Sequence, residues 1–136
     1  MRTLRLPLDE EARGARVVLS TLPGEAHALW LHMVALLLNA AGSRVVMLGP
    51  ELPTDEIAGA AREQETAAVG IGVSLSSDQV RSRTMLLALR RALTAEVALV
   101  VGGAGAPSVG RGVESLATLD EAHDWARRLS AARSRS

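Results

Sequence analysis

Short apolar segments alternate with longer helical patterns about five times along this 136-residue chain. The short segments are rich in Val, Leu and Ile and lie next to Gly or Pro, which is typical of buried strands followed by turns. Gly42 lies where the first helical pattern needs a C-terminal cap. The sequence predicts strands at 16–21, 44–48, 67–74, 96–101 and 112–116, and helices at 25–41, from 54 onwards, at 78–93 and at 119–129.

The first, third and fourth predicted strands are apolar on both faces, which indicates a parallel sheet covered by helices on both sides. We therefore expect an α/β fold, a flavodoxin-like doubly wound five-stranded parallel sheet in the order 2-1-3-4-5. One domain is expected over 1–136, with its core at about 15–130 and peripheral segments at 1–13 and 130–136. Ligands of such sheets bind at the carboxyl ends of the strands, at the switch point between strands 1 and 3.

Two local features refine this expectation. Thr54 is a plausible N-cap of the second helix, because acidic residues fill the turn that follows it. Gly70 and Gly72 in the third strand predict the close approach of another backbone or a ligand.

Composition excludes several classes of protein. The formal net charge is zero, which argues against direct binding of nucleic acid, and the absence of Cys excludes disulfides and thiolate metal sites. The N-terminus has no apolar core of signal-peptide type, and the longest apolar stretch, 28–38, is too short to span a bilayer. We expect a cytoplasmic protein without a membrane segment.

The loops at the carboxyl ends of the strands exclude further chemistries. The first loop, 21–27, has one Gly and no Lys, so it does not match a phosphate-binding loop. The third strand ends in Ser74, where a phospho-acceptor domain would have Asp, and 72–76 lacks the last Gly of a nucleophile elbow. The chain offers no acid–base pair or nucleophile, and we do not expect catalytic activity from it in isolation.

Glu25 and His27 are the remaining feature of these loops. A neutral imidazole can bind a metal through one ring nitrogen while a neighbouring carboxylate holds the other ring N–H. One His is too few for a zinc site, but it is enough where a macrocycle such as haem or a corrinoid supplies the other ligands. The alternative is that His27 is simply a polar residue in the first turn of a helix. His32 and His123 have no such context and are predicted to be structural or surface residues.

Four short motifs lie at or directly after the ends of the first four predicted strands. They are Glu25-Ala26-His27, Leu48-Gly49, Ser74-Leu75-Ser76 and Gly102-Gly103. In this order they resemble the pattern of cobalamin-binding domains, over about residues 15 to 130. The start Pro-Gly-Glu-x-His, the Leu-Gly-Pro run and the GGAGAP run are most similar to the sensory domain of light-responsive MerR-type repressors that use adenosylcobalamin.

The resemblance implies a cofactor, adenosylcobalamin or methylcobalamin, whose nucleotide tail is displaced from cobalt. His27 would then be the lower axial ligand and the only metal-binding residue, with Glu25 orienting its ring. The tail would thread between strands 1 and 3, past Ser74 and Ser76, to the loop at Gly102. The cofactor-binding residues implied in this way are Gly24, Glu25, Ala26, His27, Trp30, Gly49, Ser74, Leu75, Ser76, Gly102, Gly103, Ala104 and Gly105.

Two departures from the family's pattern shape the functional hypotheses. Trp30 stands where the family has Gly, so the indole either lines the corrin, which we expect, or closes the pocket. Nothing in these 136 residues resembles the helical bundle or the DNA-binding domain of such repressors, so we expect a protein partner or a second copy to cover the upper corrin face. A sensor or carrier module is the favoured function. The alternatives are the small subunit of a cobalamin-dependent mutase or methyltransferase, and a degenerate relative that acts by protein contacts alone.

Overall fold

The computed structural model of the chain describes residues 15–22, 29–49, 51–74, 78–110 and 112–134. Five parallel strands form one sheet in the order β2-β1-β3-β4-β5, so the predicted topology is confirmed. The strands are β1 (Arg16–Thr21), β2 (Arg44–Met47), β3 (Ala68–Gly72), β4 (Ala98–Gly102) and β5 (Val113–Leu116). The helices are α1 (Leu29–Ala40), α2 (Thr54–Glu63), α3 (Gln79–Ala92) and α4 (Leu119–Ser134).

The helices cover both faces of the sheet and divide the core in two. On one face, α1 and α4 pack over Val17, Leu19 and Val100. On the other face, α2 and α3 pack over Val18, Val69, Val101 and their neighbours. All five residues of β3 are buried, because the central strand of a doubly covered parallel sheet has no solvent-facing side.

Three of the four helices have ends that the local sequence explains. Asp78 caps α3, and its side chain accepts the Arg81 N–H at 3.1 Å. Thr118 and Glu121 form a reciprocal capping box at the start of α4. Gly42 follows α1 with a φ of +97°, as its predicted capping role requires.

Two predicted helix ends are wrong, and the strands predicted at 67–74 and 96–101 are observed at Ala68–Gly72 and Ala98–Gly102. The N-cap of α2 is Pro53 rather than Thr54, and no side chain caps that end, because the extended backbone of Pro53 already stops the helix and Thr54 lies inside it. Helix α4 continues to Ser134 instead of ending at Leu129. No Gly or Pro interrupts the segment after Leu129, and its Ala and Arg residues favour continued helix. The predicted start of the first helix, 25–28, lies outside the described residues.

None of the described helices combines the length and the apolar character needed to cross a membrane. The most apolar of them, α1, has 12 residues.

Two Gly→Ala substitutions test the backbone assignment. A Cβ at Gly42 would meet no atom within 4 Å, but its φ of +97° is unfavourable for any other residue, so Gly42→Ala should lower the free energy of unfolding by about 1 kcal/mol. Gly59 lies inside α2, where a Cβ would meet only the Arg62 guanidinium at 3.8 Å. Gly59→Ala should therefore raise the free energy of unfolding by about 0.5–1 kcal/mol. Urea denaturation measures both changes, and equal effects of the two substitutions would contradict the assignment.

Candidate functional site

The end of β1 holds the loop that follows β2. The buried Ser20 hydroxyl donates to the Gly49 carbonyl at 3.1 Å, and the Glu51 N–H donates to the Thr21 hydroxyl at 2.8 Å. The Leu52 N–H donates to the Thr21 carbonyl at 3.2 Å. These bonds satisfy polar groups that the sheet buries, and they hold Gly49 beside the carboxyl end of β1.

The loop after β4 is fastened to the end of β3 in the same way. The Val73 N–H donates to the Gly102 carbonyl at 2.8 Å, and the Gly105 N–H donates to the Val73 carbonyl at 3.0 Å. Gly103 has a φ of +107°, and a Cβ there would overlap the Val73 carbonyl oxygen, so both conformation and space require glycine. The Gln79 side-chain amide, at the start of α3, donates to the Gly105 carbonyl.

Gly72 and Gly102 form a flat surface at the carboxyl ends of β3 and β4, which we call the glycine floor. The two residues are register partners in the sheet. The indole of Trp30, the second residue of α1, covers them. A Cβ at Gly102 would overlap the indole around Cζ2 and Cε2 and would lie 2.7 Å from Cη2, and a Cβ at Gly72 would lie 3.5 Å from Cε3. The floor therefore exists because neither residue has a side chain.

The described members of the predicted site gather at this edge. They are Trp30, Gly49, Ser74, Gly102, Gly103, Ala104 and Gly105, and all lie at or just beyond the carboxyl ends of the strands. Ser74, at the end of the β3 segment, is half-buried. The remaining predicted members lie outside the described residues, so their placement stays a prediction: Gly24, Glu25, Ala26, His27, Leu75 and Ser76.

The other two histidines lie on the surface. His32 is exposed on α1, and His123 is exposed on α4 with its Nδ1 3.8 Å from a carboxylate oxygen of Asp124. Among the described residues, no three His, Cys, Asp or Glu side chains are grouped closely enough to hold a metal ion. A metal site built from this part of the chain alone would therefore lack ligands.

An apolar rim that the sequence analysis did not single out surrounds the same edge. Of the five large hydrophobic side chains exposed in the described part of the chain, Leu29, Val80 and Leu119 lie in the first turns of three helices, and Met47 ends β2. These four residues form the apolar rim, and they are 72, 76, 42 and 40 % exposed in that order. Exposed apolar side chains at this edge are available for contact with a ligand or a partner.

A cavity of about 410 Å³ lies at the opposite end of the sheet, between the last turns of α2 and α3. Arg62, Thr66, Leu93 and Glu96 are among its lining residues, and the buried Thr66 hydroxyl has no hydrogen-bond partner within the described ranges. No predicted site residue lines this cavity, so it is separate from the carboxyl edge.

Comparison with known proteins supports a cobalamin-related fold. The family model of the B12 binding domain matches residues 15–125. No protein of curated function matches the sequence.

Solved structures share the same architecture. A cobalamin-binding protein from Desulfitobacterium hafniense is similar at a TM-score of 0.57 and 23 % identity, over 75 % of this chain and 52 % of the other. The monomethylamine corrinoid protein of Methanosarcina barkeri is similar at a TM-score of 0.65 and 19 % identity, over 94 % of this chain and 64 % of the other. The methanol:cobalamin methyltransferase complex of the same organism is similar at a TM-score of 0.65 and 20 % identity, over 90 % of this chain and 47 % of the other. The chain thus spans less than two thirds of each of these proteins, and the likeness shows the fold.

A double-mutant cycle tests the contact between Trp30 and the floor. Gly102→Ala should lower the free energy of unfolding by about 1–3 kcal/mol, because its Cβ would overlap the indole. In a Trp30→Ala background, Gly102→Ala should cost less than about 0.5 kcal/mol, since the overlapping ring is gone.

Gly49→Ala is the matched control. A Cβ at Gly49 meets nothing within 4 Å, so its effect should stay within about 0.5 kcal/mol in both backgrounds. The same cost of Gly102→Ala with and without the indole would show that Trp30 does not lie on the floor.

Proposed function

The chain belongs to the B12 binding domain family, and we propose that it binds a corrinoid at the carboxyl edge of its sheet, with His27 as the lower axial ligand of cobalt. In this proposal Glu25 accepts a hydrogen bond from the other ring N–H of His27. That bond fixes the tautomer and raises the basicity of the ligating nitrogen.

The apolar rim is the observation that carries the proposal. Leu29, Met47, Val80 and Leu119 place exposed apolar side chains at the edge where open α/β sheets bind their ligands. A macrocycle that lies across this edge, together with a partner above it, would remove these side chains from water. No comparable group of exposed large hydrophobic residues occurs elsewhere in the described ranges, where Leu36 on α1 is the remaining one.

The loops at the edge fit the polar periphery of a corrinoid. Backbone hydrogen bonds to Val73 and the tight packing of Gly103 against it fix the loop at Gly103–Gly105, and in this proposal Ser74 and that loop contact the corrinoid. When bound, the corrinoid supplies a cobalt–carbon bond whose formation or cleavage is the chemistry of the cofactor. Ser76, Leu75, Gly24 and Ala26 complete the proposed contacts, and Gly49 closes the edge next to β1.

The proposed role of the loaded domain is that of a sensor or a carrier, with adenosylcobalamin or methylcobalamin as its form. A protein partner or a second copy would cover the upper corrin face by packing against the apolar rim. The fold likeness to the methanol:cobalamin methyltransferase complex supports a protein partner and keeps the small subunit of a methyltransferase as a variant of this role.

A second candidate function is supported by the position of Trp30. Its indole already covers the glycine floor. The same geometry is therefore consistent with a chain that has lost corrinoid binding and acts through protein contacts. The apolar rim would then be a protein interface alone. Binding of a corrinoid by the purified protein distinguishes the two candidates.

Substitution of the three histidines tests the axial ligand. Replacement of the lower cobalt ligand by an imidazole changes the absorbance spectrum of cobalamin. His27→Ala should abolish this change, because no other residue near the edge is expected to supply an imidazole. Glu25→Ala should weaken binding by roughly 10- to 100-fold, since it only orients the ring.

His32→Ala and His123→Ala are matched controls, because both side chains are exposed on the outer surfaces of helices. They should bind as the wild type does. Identical spectra for wild type and His27→Ala in the presence of hydroxocobalamin would exclude His27 as the ligand.

A further inference from the structure

We infer that the indole of Trp30 fills the glycine floor beside the Gly102 loop, which the nucleotide tail of a corrinoid is expected to reach, so that this chain favours corrinoids without the nucleotide. This inference rests on the proposed function and revises one part of it: corrinoids without the nucleotide bind more tightly than adenosylcobalamin or methylcobalamin. It assigns to Trp30 a specificity-determining role: the residue excludes one part of the ligand and lies outside the space beyond the strand ends that the macrocycle is proposed to occupy.

The position of the ring on the floor is the first argument. Cζ2 lies over Gly102 and Cε3 over Gly72, and these two atoms are opposite each other in the six-membered ring of the indole. The ring therefore spans both strands and covers the one region of this edge where side chains are absent from neighbouring strands. A benzimidazole is the same fused pair of six- and five-membered rings, so the two groups cannot share the floor.

The second argument is that the half-buried indole packs against the core. Trp30 contacts the cluster that contains Leu31, Val34 and Leu116, beneath α1 and α4. The buried side chains of α1 are Leu31, Val34 and Leu38, and Trp30 lies on the same side of the helix, four residues before Val34. Moving the ring away would expose both its own apolar surface and the floor, and packed interiors resist such a change.

The third argument is that the ring and a macrocycle need different space. The indole lies on the face of the sheet that α1 and α4 cover. The apolar rim and the loop at Gly103–Gly105 surround the edge itself, beyond the ends of the strands. A corrin ring held at that edge by a protein ligand is compatible with Trp30 in place, whereas a nucleotide inserted along the sheet is not.

The experiment compares two corrinoids on wild type and on variants. Diaquacobinamide, which lacks the nucleotide, and hydroxocobalamin, which carries it, are titrated while absorbance and tryptophan fluorescence are recorded. The measured quantity is the ratio of the dissociation constants of the two corrinoids. Comparing this ratio between wild type and each variant cancels the intrinsic difference in affinity between the two ligands. Trp30→Gly should shift this ratio toward hydroxocobalamin by at least about tenfold, because the floor becomes free.

Two further variants keep the test decisive. Trp30→Ala removes the same ring while preserving helix propensity, and it should shift the ratio in the same direction if Trp30→Gly folds poorly. Trp125→Phe changes the second tryptophan, which is buried in the same core cluster but does not supply the atoms nearest to Gly72 or Gly102, and it should leave the ratio unchanged. In this variant Trp30 is the one remaining tryptophan, and cobinamide should quench its fluorescence.

The outcomes separate the inference from the proposed function. If wild type binds a corrinoid but neither Trp30 variant shifts the ratio, the inference is overturned and the proposed function stands. If folded wild type and both variants bind neither corrinoid, the proposed function fails and takes the inference with it. If wild type binds neither while Trp30→Gly binds hydroxocobalamin, selection for cobinamide is overturned and the second candidate function is favoured.

Discussion

The central strand of the sheet carries almost no side-chain volume on the face beneath α1 and α4, and the arrangement of that half of the molecule depends on how this space is filled. The residues of β3 on this face are Ala68, Gly70 and Gly72. Leu19 of β1 packs onto Gly70, where its Cδ2 would lie 2.7 Å from an added Cβ, and Leu31 and Trp30 of α1 pack onto Gly72. Since close packing leaves no voids in a stable core, the space over the glycines of β3 is filled by large side chains of β1 and α1.

The sequence predicts the order of the sheet because alternating apolar and helical segments admit few right-handed arrangements. It also predicts a close approach at Gly70 and Gly72, but the approaching atoms are the side chains of Leu19, Leu31 and Trp30 rather than another backbone or a ligand. That outcome depends on how α1 docks, which no local pattern encodes. The sequence did not predict the apolar rim for the same reason. Whether Leu29 or Val80 is exposed depends on how whole helices pack. The prediction of Thr54 as the N-cap of α2 was wrong because Pro53 ends the helix there without any side-chain hydrogen bond.

The described part of the candidate site combines exposed apolar residues at the edge with a covered floor. Hydrogen bonds fix the loops after β2 and β4, and we propose that a large ligand and a partner cover the exposed apolar residues. The indole fills the adjoining space beneath the helices. For a domain whose family binds B12, this division allows the macrocycle and its nucleotide to be recognised separately. The resemblance at Glu25 and His27 supplied the hypothesis of a ligand, and the geometry around Trp30 restricts which ligand fits.

Electron paramagnetic resonance of reduced, cobalt(II) cobinamide bound to the wild-type protein tests the central claim most directly. Cobinamide has no base of its own, and the unpaired electron of cobalt(II) lies along the axial direction, so a nitrogen seen on that axis must come from the protein. The account predicts that each resolved cobalt hyperfine line splits into three, as one axial ¹⁴N nucleus requires, and that His27→Ala loses the splitting. Bound cobinamide whose hyperfine lines remain unsplit would contradict it.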